Sequence, residues 1–374
     1  MPVFKWEGMC YAVQEGESRQ RRTKMERLGF GVIGVGTWGE LHARVYANTH
    51  GARLVAVCDA DHVRAHQVAV ACGGAKVYTD FFDIVSDPEI DAVSIVLPDF
   101  LHHEATIAAV RAGKHVLIEK PLATTEAEAL DILREVEIAG VTLFVDFHNR
   151  WSPLFQPLKH SLERGEIGTP QQVYYRLSDT LYVPTQMLSW SHHSTVAWFL
   201  ASHCLDTLLW LMEARRHHDT IERLYCVARS RVLRDQYGIN TPDFYLTTIE
   251  WASGLVTHIE NSWILPESGP SIFDLKCEFI GSQGAYSIDA SHHGAVKKST
   301  HKVEYPDLFV SPTIHHHPMG FGTESIRHFV QSLQQGVKPM VDGIDGLAVT
   351  RLILKMEESL RLRQPVDVEN IYVL

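Results

Sequence analysis

Paired cysteines are missing from this chain. Its six cysteines, at positions 10, 58, 72, 204, 226 and 277, lie far apart with no C-x-x-C among them, which excludes a disulfide framework and a zinc module and fits a reducing, cytoplasmic compartment. Excess positive charge is missing too. Lys+Arg number 34 against 45 Asp+Glu, a net charge of −11, and no basic stripe with interleaved aromatics offsets it, so a nucleic-acid partner is excluded. The longest mostly apolar stretch, 195–212, contains His203 and Asp206 and reads as a buried helix rather than a membrane span. Residues 1–24 have no apolar segment of secretory length, and Glu7, Glu15 and Glu17 speak against a mitochondrial leader. They read as a poorly ordered extension, or as sequence upstream of a start at Met25.

What is present suits a soluble globular chain. With 374 residues and 45% hydrophobic content, about two domains of roughly 150 residues each are expected. The apolar run over 28–35 ends in Gly34-Val35-Gly36-Thr37-Trp38-Gly39, and Asp59 follows twenty residues after Gly39. Gly34 permits a tight turn off a strand, Gly36 lets backbone approach a pyrophosphate, and Gly39 lets the next helix pack closely. That helix, opened by Thr37 and Trp38, aims free N–H groups and its positive dipole end at phosphates. Asp59 ends a second apolar run, where a carboxylate accepts hydrogen bonds from a ribose diol and repels a 2′-phosphate. NAD is expected over NADP.

Strand patterns at 29–34, 53–58, 76–78, 92–97, 115–118 and 142–146 alternate with helical ones, which implies a parallel sheet covered on both faces. Beyond residue 148 the pattern changes to long strands near 171–178, 221–230, 244–250, 255–263, 273–280 and 284–289, with helices near 153–164, 195–212, 322–335 and 345–362. The expected class is α/β: an N-terminal Rossmann doubly wound parallel sheet over 25–147, then over 148–374 a C-terminal α+β domain with a large, mostly antiparallel mixed sheet for substrate binding and oligomerisation.

The strings Pro98-Asp99-Phe100-Leu101-His102, Glu119-Lys120-Pro121, Asn149-Arg150, Gly165-Glu166-Ile167-Gly168 and Val341-Asp342-Gly343 resemble the Gfo/Idh/MocA oxidoreductases, the family of glucose-fructose oxidoreductase and inositol 2-dehydrogenase. Glu119-Lys120-Pro121 is the most specific of them. The resemblance implies a cofactor edge formed by Pro98, His102, Glu119 and Lys120, with Lys120 catalytic: its ammonium polarises a carbonyl, or its neutral amine takes a hydroxyl proton. By composition alone a lysine there is a solvated surface group. The 198–210 segment resembles the family's active-site helix, which makes His203 the second catalytic group. Many members carry an Asp four residues before that histidine; here the position is Phe199, so a Lys-Asp-His relay is not assumed. Asp206 reads mainly as a helix-face tie and secondarily as a substrate contact. Arg150 reads either as a substrate contact or as a structural ion pair.

The 22 histidines include clusters at 192–193, 217–218 and 315–317, but adjacent loop histidines seldom converge on an ion, and no metal is expected. His193 and His316 are candidates for a polyol pocket, and Trp190 and Trp263 for flat faces against a sugar ring, beside the plainer reading of core packing. The resemblance implies an NAD-dependent dehydrogenase for a secondary alcohol or ketone of a sugar, sugar acid or cyclitol, as a homodimer or homotetramer without membrane attachment. Alternatives are an NAD-dependent glycosidase, a dihydrodiol or tetrapyrrole reductase, and a non-catalytic NAD-binding regulator.

Overall fold

Six apolar strands, each ending in a turn or a polar residue, build the first sheet. The computed structural model describes residues 27–216 and 218–373; the extension expected over 1–24 lies outside them. The strands are β1 (Leu28–Ile33), β2 (Ala52–Cys58), β3 (Lys76–Tyr78), β4 (Ala92–Ile95), β5 (His115–Glu119) and β6 (Leu143–Asp146), all parallel in the order β3-β2-β1-β4-β5-β6. Helices α1 (Thr37–Asn48), α2 (His62–Ala71), α3 (Phe81–Val85), α4 (His102–Arg111) and α5 (Glu126–Ala139) connect them. Each start has a local cause where a polar side chain caps it. Asp61 accepts from the N–H groups of Val63 and Arg64, and Thr125 accepts from that of Glu128. Strand order reverses between β1 and β4, so a crevice opens beyond their carboxyl ends.

Close packing at the first turn depends on two glycines. Gly34 has φ +84°, and a Cβ on Gly39 would lie 1.9 Å from the Gly34 carbonyl oxygen. Behind them Phe30 stacks on Tyr46 with ring centroids 4.3 Å apart.

After α6 (Phe155–Glu163) the chain forms β7 (Pro170–Asp179), α7 (Ser202–Leu211), β8 (Ile221–Arg229), α8 (Val232–Tyr237), β9 (Phe244–Trp251), β10 (Val256–Ser262), β11 (Phe273–Gly281) and β12 (Ala285–Asp289). Two short hairpins, β13–β14 and β15–β16, span 297–318, and α9 (Phe321–Gln335), α10 (Gly343–Leu362) and β17 (Val366–Asp367) end the chain. The second sheet runs β12-β11-β7-β10-β9-β8-β17, antiparallel except between β7 and β10. Period-two burial puts Tyr245, Thr247, Ile249 and Trp251 of β9 inward. On the other face Tyr174 donates to Glu260 at 2.8 Å, and Arg176 pairs with Glu260 and Asp274.

Helix α10 fastens the two sheets together. A Cβ on Gly343 would meet Leu133 at 2.2 Å, and one on Gly346 would meet Leu122 at 2.7 Å, so glycine lets the helix lie close to the first sheet's own connections. Further along, Ser359 Oγ accepts from the Cys226 N–H of β8 at 3.0 Å, and Glu357 accepts from the Tyr245 hydroxyl at 2.7 Å. Asp342 and Asp345 form a reciprocal capping box at its start.

Two features depart from expectation. The helix expected over 195–212 is α-helical only from Ser202; before it, Ala197–Ala201 is a π-helical turn in which the Ser202 N–H reaches back to the Ala197 carbonyl. The hairpins of 297–318 and strand β17 are too short to carry a readable period.

Candidate active site

The glycine turn leaves its phosphate side open. Gly36 precedes α1 with no side-chain cap, and a Cβ built there meets nothing within 4 Å. The N–H groups of Thr37, Trp38 and Gly39 thus form a free helix terminus facing empty space. Asp59 is held by backbone: Oδ2 accepts from the Val35 N–H at 3.0 Å and Oδ1 from the Asp61 N–H at 2.9 Å, with Arg64 at 3.5 Å. Turn, open helix end and anchored carboxylate fit a dinucleotide, whose pyrophosphate Gly34, Gly36 and Gly39 would hold and whose ribose diol Asp59 would meet.

At the ends of β4 and β5 the chain crowds polar groups together. Pro98 is extended and leads into a single turn, after which His102 is fully buried, with Nδ1 2.7 Å from the Pro121 carbonyl oxygen and Nε2 2.9 Å from that of Leu97. The ring expected at the cofactor sits between these two backbone carbonyls, where its neutral form, favoured by burial, donates to one of them and packs the two strand ends together. Asp99 accepts from the Ser194 hydroxyl and from the Phe100 N–H. The first of these bonds crosses to the loop that precedes α7.

Lys120 lies half-buried beyond β5, joined to Pro121 by a cis peptide bond. Its Nζ donates to the Phe199 carbonyl at 2.8 Å and lies 4.2 Å from the centroid of the Phe199 ring. The carbonyl lies within the π-helical turn Ala197–Ala201, and its second lone pair can take an outside donor. Burial lowers the affinity of Lys120 for its proton, while Glu119, Asp99, Asp179 and Asp146 oppose that shift.

His203 is one helical turn beyond Phe199. Burial and the neighbouring charge of Lys120 push it well below the usual histidine range, and its Nδ1 has no hydrogen-bond partner. His148 lies 4.8 Å away, ring to ring, and burial lowers it to about 4. Both imidazoles are neutral at physiological pH, each with a nitrogen to offer. The structure therefore brings Lys120 and His203 to one place.

Other sequence candidates divide between the site and the scaffold. Arg150 and Asp206 are committed to each other: Arg150 Nε lies 3.0 Å and Nη2 2.5 Å from the Asp206 carboxylate, with Asp345 at 3.3 Å from Nη2. Burial pushes Asp206 up to about 6 against the pull of Arg150, which leaves the pair ionised at neutral pH. Trp190 is half-buried, 6.2 Å from the Phe199 ring and 6.4 Å from Phe100, and exposed His193 lies 5.2 Å from Phe100. These rings form an aromatic rim leading to Lys120. His316 stands exposed at the β15–β16 turn with φ 69°, sharing no ring contact or hydrogen bond with that cluster. Trp263 is fully buried behind Phe199 at 5.8 Å, and so offers no face to a ligand.

Sequence reading missed a buried cluster beneath the site. His42 places Nε2 3.2 Å from Glu119 and Nδ1 3.1 Å from Ser94, whose hydroxyl lies 2.5 Å from that of Tyr46. Asp146, fully buried on β6, lies 3.9 Å from His42. Burial also favours protonation of Glu119, but the hydrogen bond and charge of His42 hold it net below the usual range; burial and Glu119 push Asp146 well above it. Among the described residues these three are the one convergence of metal-ligand side chains, all within 4.8 Å. His42 already spends both ring nitrogens, and a proton on Asp146 relieves the charge without an ion. A carboxylate ending an apolar strand, as Asp59 does, was the available signal for Asp146.

Residues 28–147 match the family described as the oxidoreductase family with an NAD-binding Rossmann fold, and residues 155–287 match the GFO/IDH/MocA C-terminal domain. The chain belongs to the Gfo/Idh/MocA oxidoreductase family. This Gfo/Idh/MocA member is an NAD-dependent oxidoreductase. It is 29% identical over 350 residues to a scyllo-inositol 2-dehydrogenase (NAD(+)) of Bacillus subtilis, covering 91% of this chain and 97% of that one. It is 31% identical over 263 residues to inositol 2-dehydrogenase 1 of Saccharopolyspora erythraea, covering 69% and 73%. A crystal structure of Lactobacillus casei scyllo-inositol dehydrogenase with NAD(H) and scyllo-inositol has the same fold, with TM-score 0.75, 19% identity, and coverage of 92% of this chain and 100% of that one. Among the described residues no helix is long and apolar enough to cross a membrane.

Two outcomes follow from this geometry. Gly39→Ala drives a methyl into the Gly34 carbonyl and costs about 1–3 kcal/mol of stability, read as a lower urea midpoint, whereas Gly36→Ala leaves that midpoint in place and weakens NAD binding in a fluorescence titration. Asp206→Asn removes one of the two carboxylates that hold Arg150, leaving Asp345, and lowers the unfolding free energy by about 1–3 kcal/mol with substrate KM unchanged; a raised KM at unchanged stability assigns the pair to substrate instead.

Proposed function

We propose that this chain oxidises a ring secondary alcohol of a cyclitol, an inositol first among them, and reduces the matching ketone. The observation that carries this reading is the meeting of the Lys120 ammonium and the neutral His203 ring at the carboxyl edge of the first sheet, beside the open glycine turn. Bound NAD supplies the hydride acceptor. Lys120 in its amine form takes the hydroxyl proton, and burial, by lowering its affinity for a proton, favours that form. His203, with one nitrogen free, hydrogen-bonds the reacting or the adjacent hydroxyl. Two relatives named for inositol dehydrogenation support the cyclitol choice. The aromatic rim of Trp190 and Phe100 suits the C–H face of a ring, and His193 beside it suits hydroxyls.

The proposal extends to organisation. The chain divides near residue 147 into a cofactor domain and a substrate domain, works in the cytoplasm, and pairs through the face of the second sheet that carries Tyr174, Arg176 and Glu260.

A panel of inositols, sugars and sugar acids assayed for NADH formation selects the substrate: turnover of an inositol upholds the reading, and turnover confined to acyclic or aromatic compounds overturns it. Lys120→Ala lowers kcat about 10²–10⁴-fold with NAD affinity largely retained; unchanged kcat removes Lys120 from the chemistry. Light scattering on the eluted protein shows a dimer or tetramer, and a monomer refutes the interface.

A further inference from the structure

We propose that Asp179 is a positioning residue for Lys120, its carboxylate standing in for the helical Asp that Phe199 replaces; this rests on the dehydrogenase reading above. Four carboxylates act on the Lys120 ammonium: Glu119, Asp99, Asp179 and Asp146. Glu119 is held by His42, and Asp99 by the Ser194 hydroxyl and the Phe100 N–H. Asp146 is sealed within the first sheet at 0% exposure, the cross-strand neighbour of Glu119. Asp179 is the one that comes from the second sheet.

It is the last residue of β7, 5% exposed, with Oδ2 lacking any hydrogen-bond partner. Its backbone is fixed, since its carbonyl accepts from the Leu265 N–H at 3.1 Å. The Trp263 indole N–H lies beside the Asp179 carboxylate and favours its ionised form, without closing a hydrogen bond of good geometry. Trp263 packs on the Phe199 ring, and that ring packs on Lys120 Nζ. Asp179, Trp263, Phe199 and Lys120 thus form a run of neighbours, with Asp179 and Lys120 close enough for each charge to act on the other. A buried carboxylate with one oxygen unpaired is costly to keep ionised, and such groups cluster at functional sites. Burial raises Asp179 to about 7, with Lys120 pulling the other way, close to where a proton acceptor for a working lysine is most useful.

The proposed step balances simply. The carbinol is oxidised to a ketone as its hydride leaves to the cofactor, which is reduced; the hydroxyl proton passes to the Lys120 amine. The resulting ammonium gives that proton to the ionised Asp179, which becomes a carboxylic acid and later releases it to solvent. Lys120 and Asp179 then titrate as a pair. Oxidation needs Asp179 ionised, so kcat rises with pH through a limb near 7.

The test starts from the inositol that the wild type oxidises. Asp179→Asn should lower kcat about 10- to 100-fold, leave KM and NAD affinity nearly unchanged and erase the limb near pH 7, and adding Phe199→Asp to it should restore most of the rate. Unchanged kcat and pH profile in Asp179→Asn, or a folded, NAD-binding double variant that regains nothing, overturns the proposal. Should Asp179→Asn fail to fold, Phe199→Asp alone decides: a second carboxylate beside Lys120 moves the limb to higher pH, and an unmoved limb is contrary. An activity-free readout separates this from failure of the substrate assignment. In apoenzyme carrying [γ-13C]aspartate, the carboxyl resonance that Asp179→Asn removes should titrate near pH 7 and move to higher pH in Lys120→Met, because the opposing cation is gone. A set of aspartate resonances that Lys120→Met leaves in place overturns the pairing even if no substrate is found.

Discussion

A lysine ammonium seated on the carbonyl of Phe199, at 2.8 Å, joins the two sheets where the chemistry is placed. The ammonium belongs to a loop that begins as β5 ends, and the carbonyl to a helix set on the second sheet. Neither half holds the contact alone. It exists because the π-helical turn at Ala197–Ala201 places the Phe199 carbonyl at the junction, and because α10 packs its glycines on Leu122 and Leu133 while its far end bonds to β8 and β9. Asp99 bonding to Ser194 repeats the junction a short distance away.

Burial at that junction sorts the titratable groups by charge. Removal from water disfavours every charged form, so a group stays ionised only where a partner compensates. Glu119 has His42, and Arg150 has Asp206 and Asp345. His203 and His148 lack such partners and are neutral, and burial with Glu119 alongside raises Asp146 well above the usual carboxylate range. The result is that Lys120 is flanked by two neutral imidazoles and holds its own proton less tightly than in water.

Much of this architecture was legible in the chain. Parallel strands buried on both faces write themselves as unbroken apolar runs, and the turn after β1 demands glycine for steric reasons: Gly34 at positive φ, Gly39 against a carbonyl. Antiparallel strands with one polar face write themselves in period two, as β9 does. The site was legible only in part. Lys120 and His203 were reached through the resemblance of the strings around them, while His42, Asp146, His148 and Asp179 carried no such string. His102 was placed at the cofactor edge by the same resemblance, but that its ring is buried between two backbone carbonyls was not legible in the chain.

Local chemistry therefore determined, from the sequence by itself, the elements, the nucleotide turn with its acidic partner, and the class of fold, because each depends on residues within one or two turns of each other. Tertiary structure alone decided which carboxylates are paired and which stand free, that Arg150 closes on Asp206, that Trp263 lies behind Phe199, and that a buried Asp at the end of β7 lies close enough to Lys120 for each charge to act on the other. Those outcomes depend on side chains tens to hundreds of residues apart competing for the same few hydrogen bonds in a space without water, and no periodicity in the chain encodes who wins.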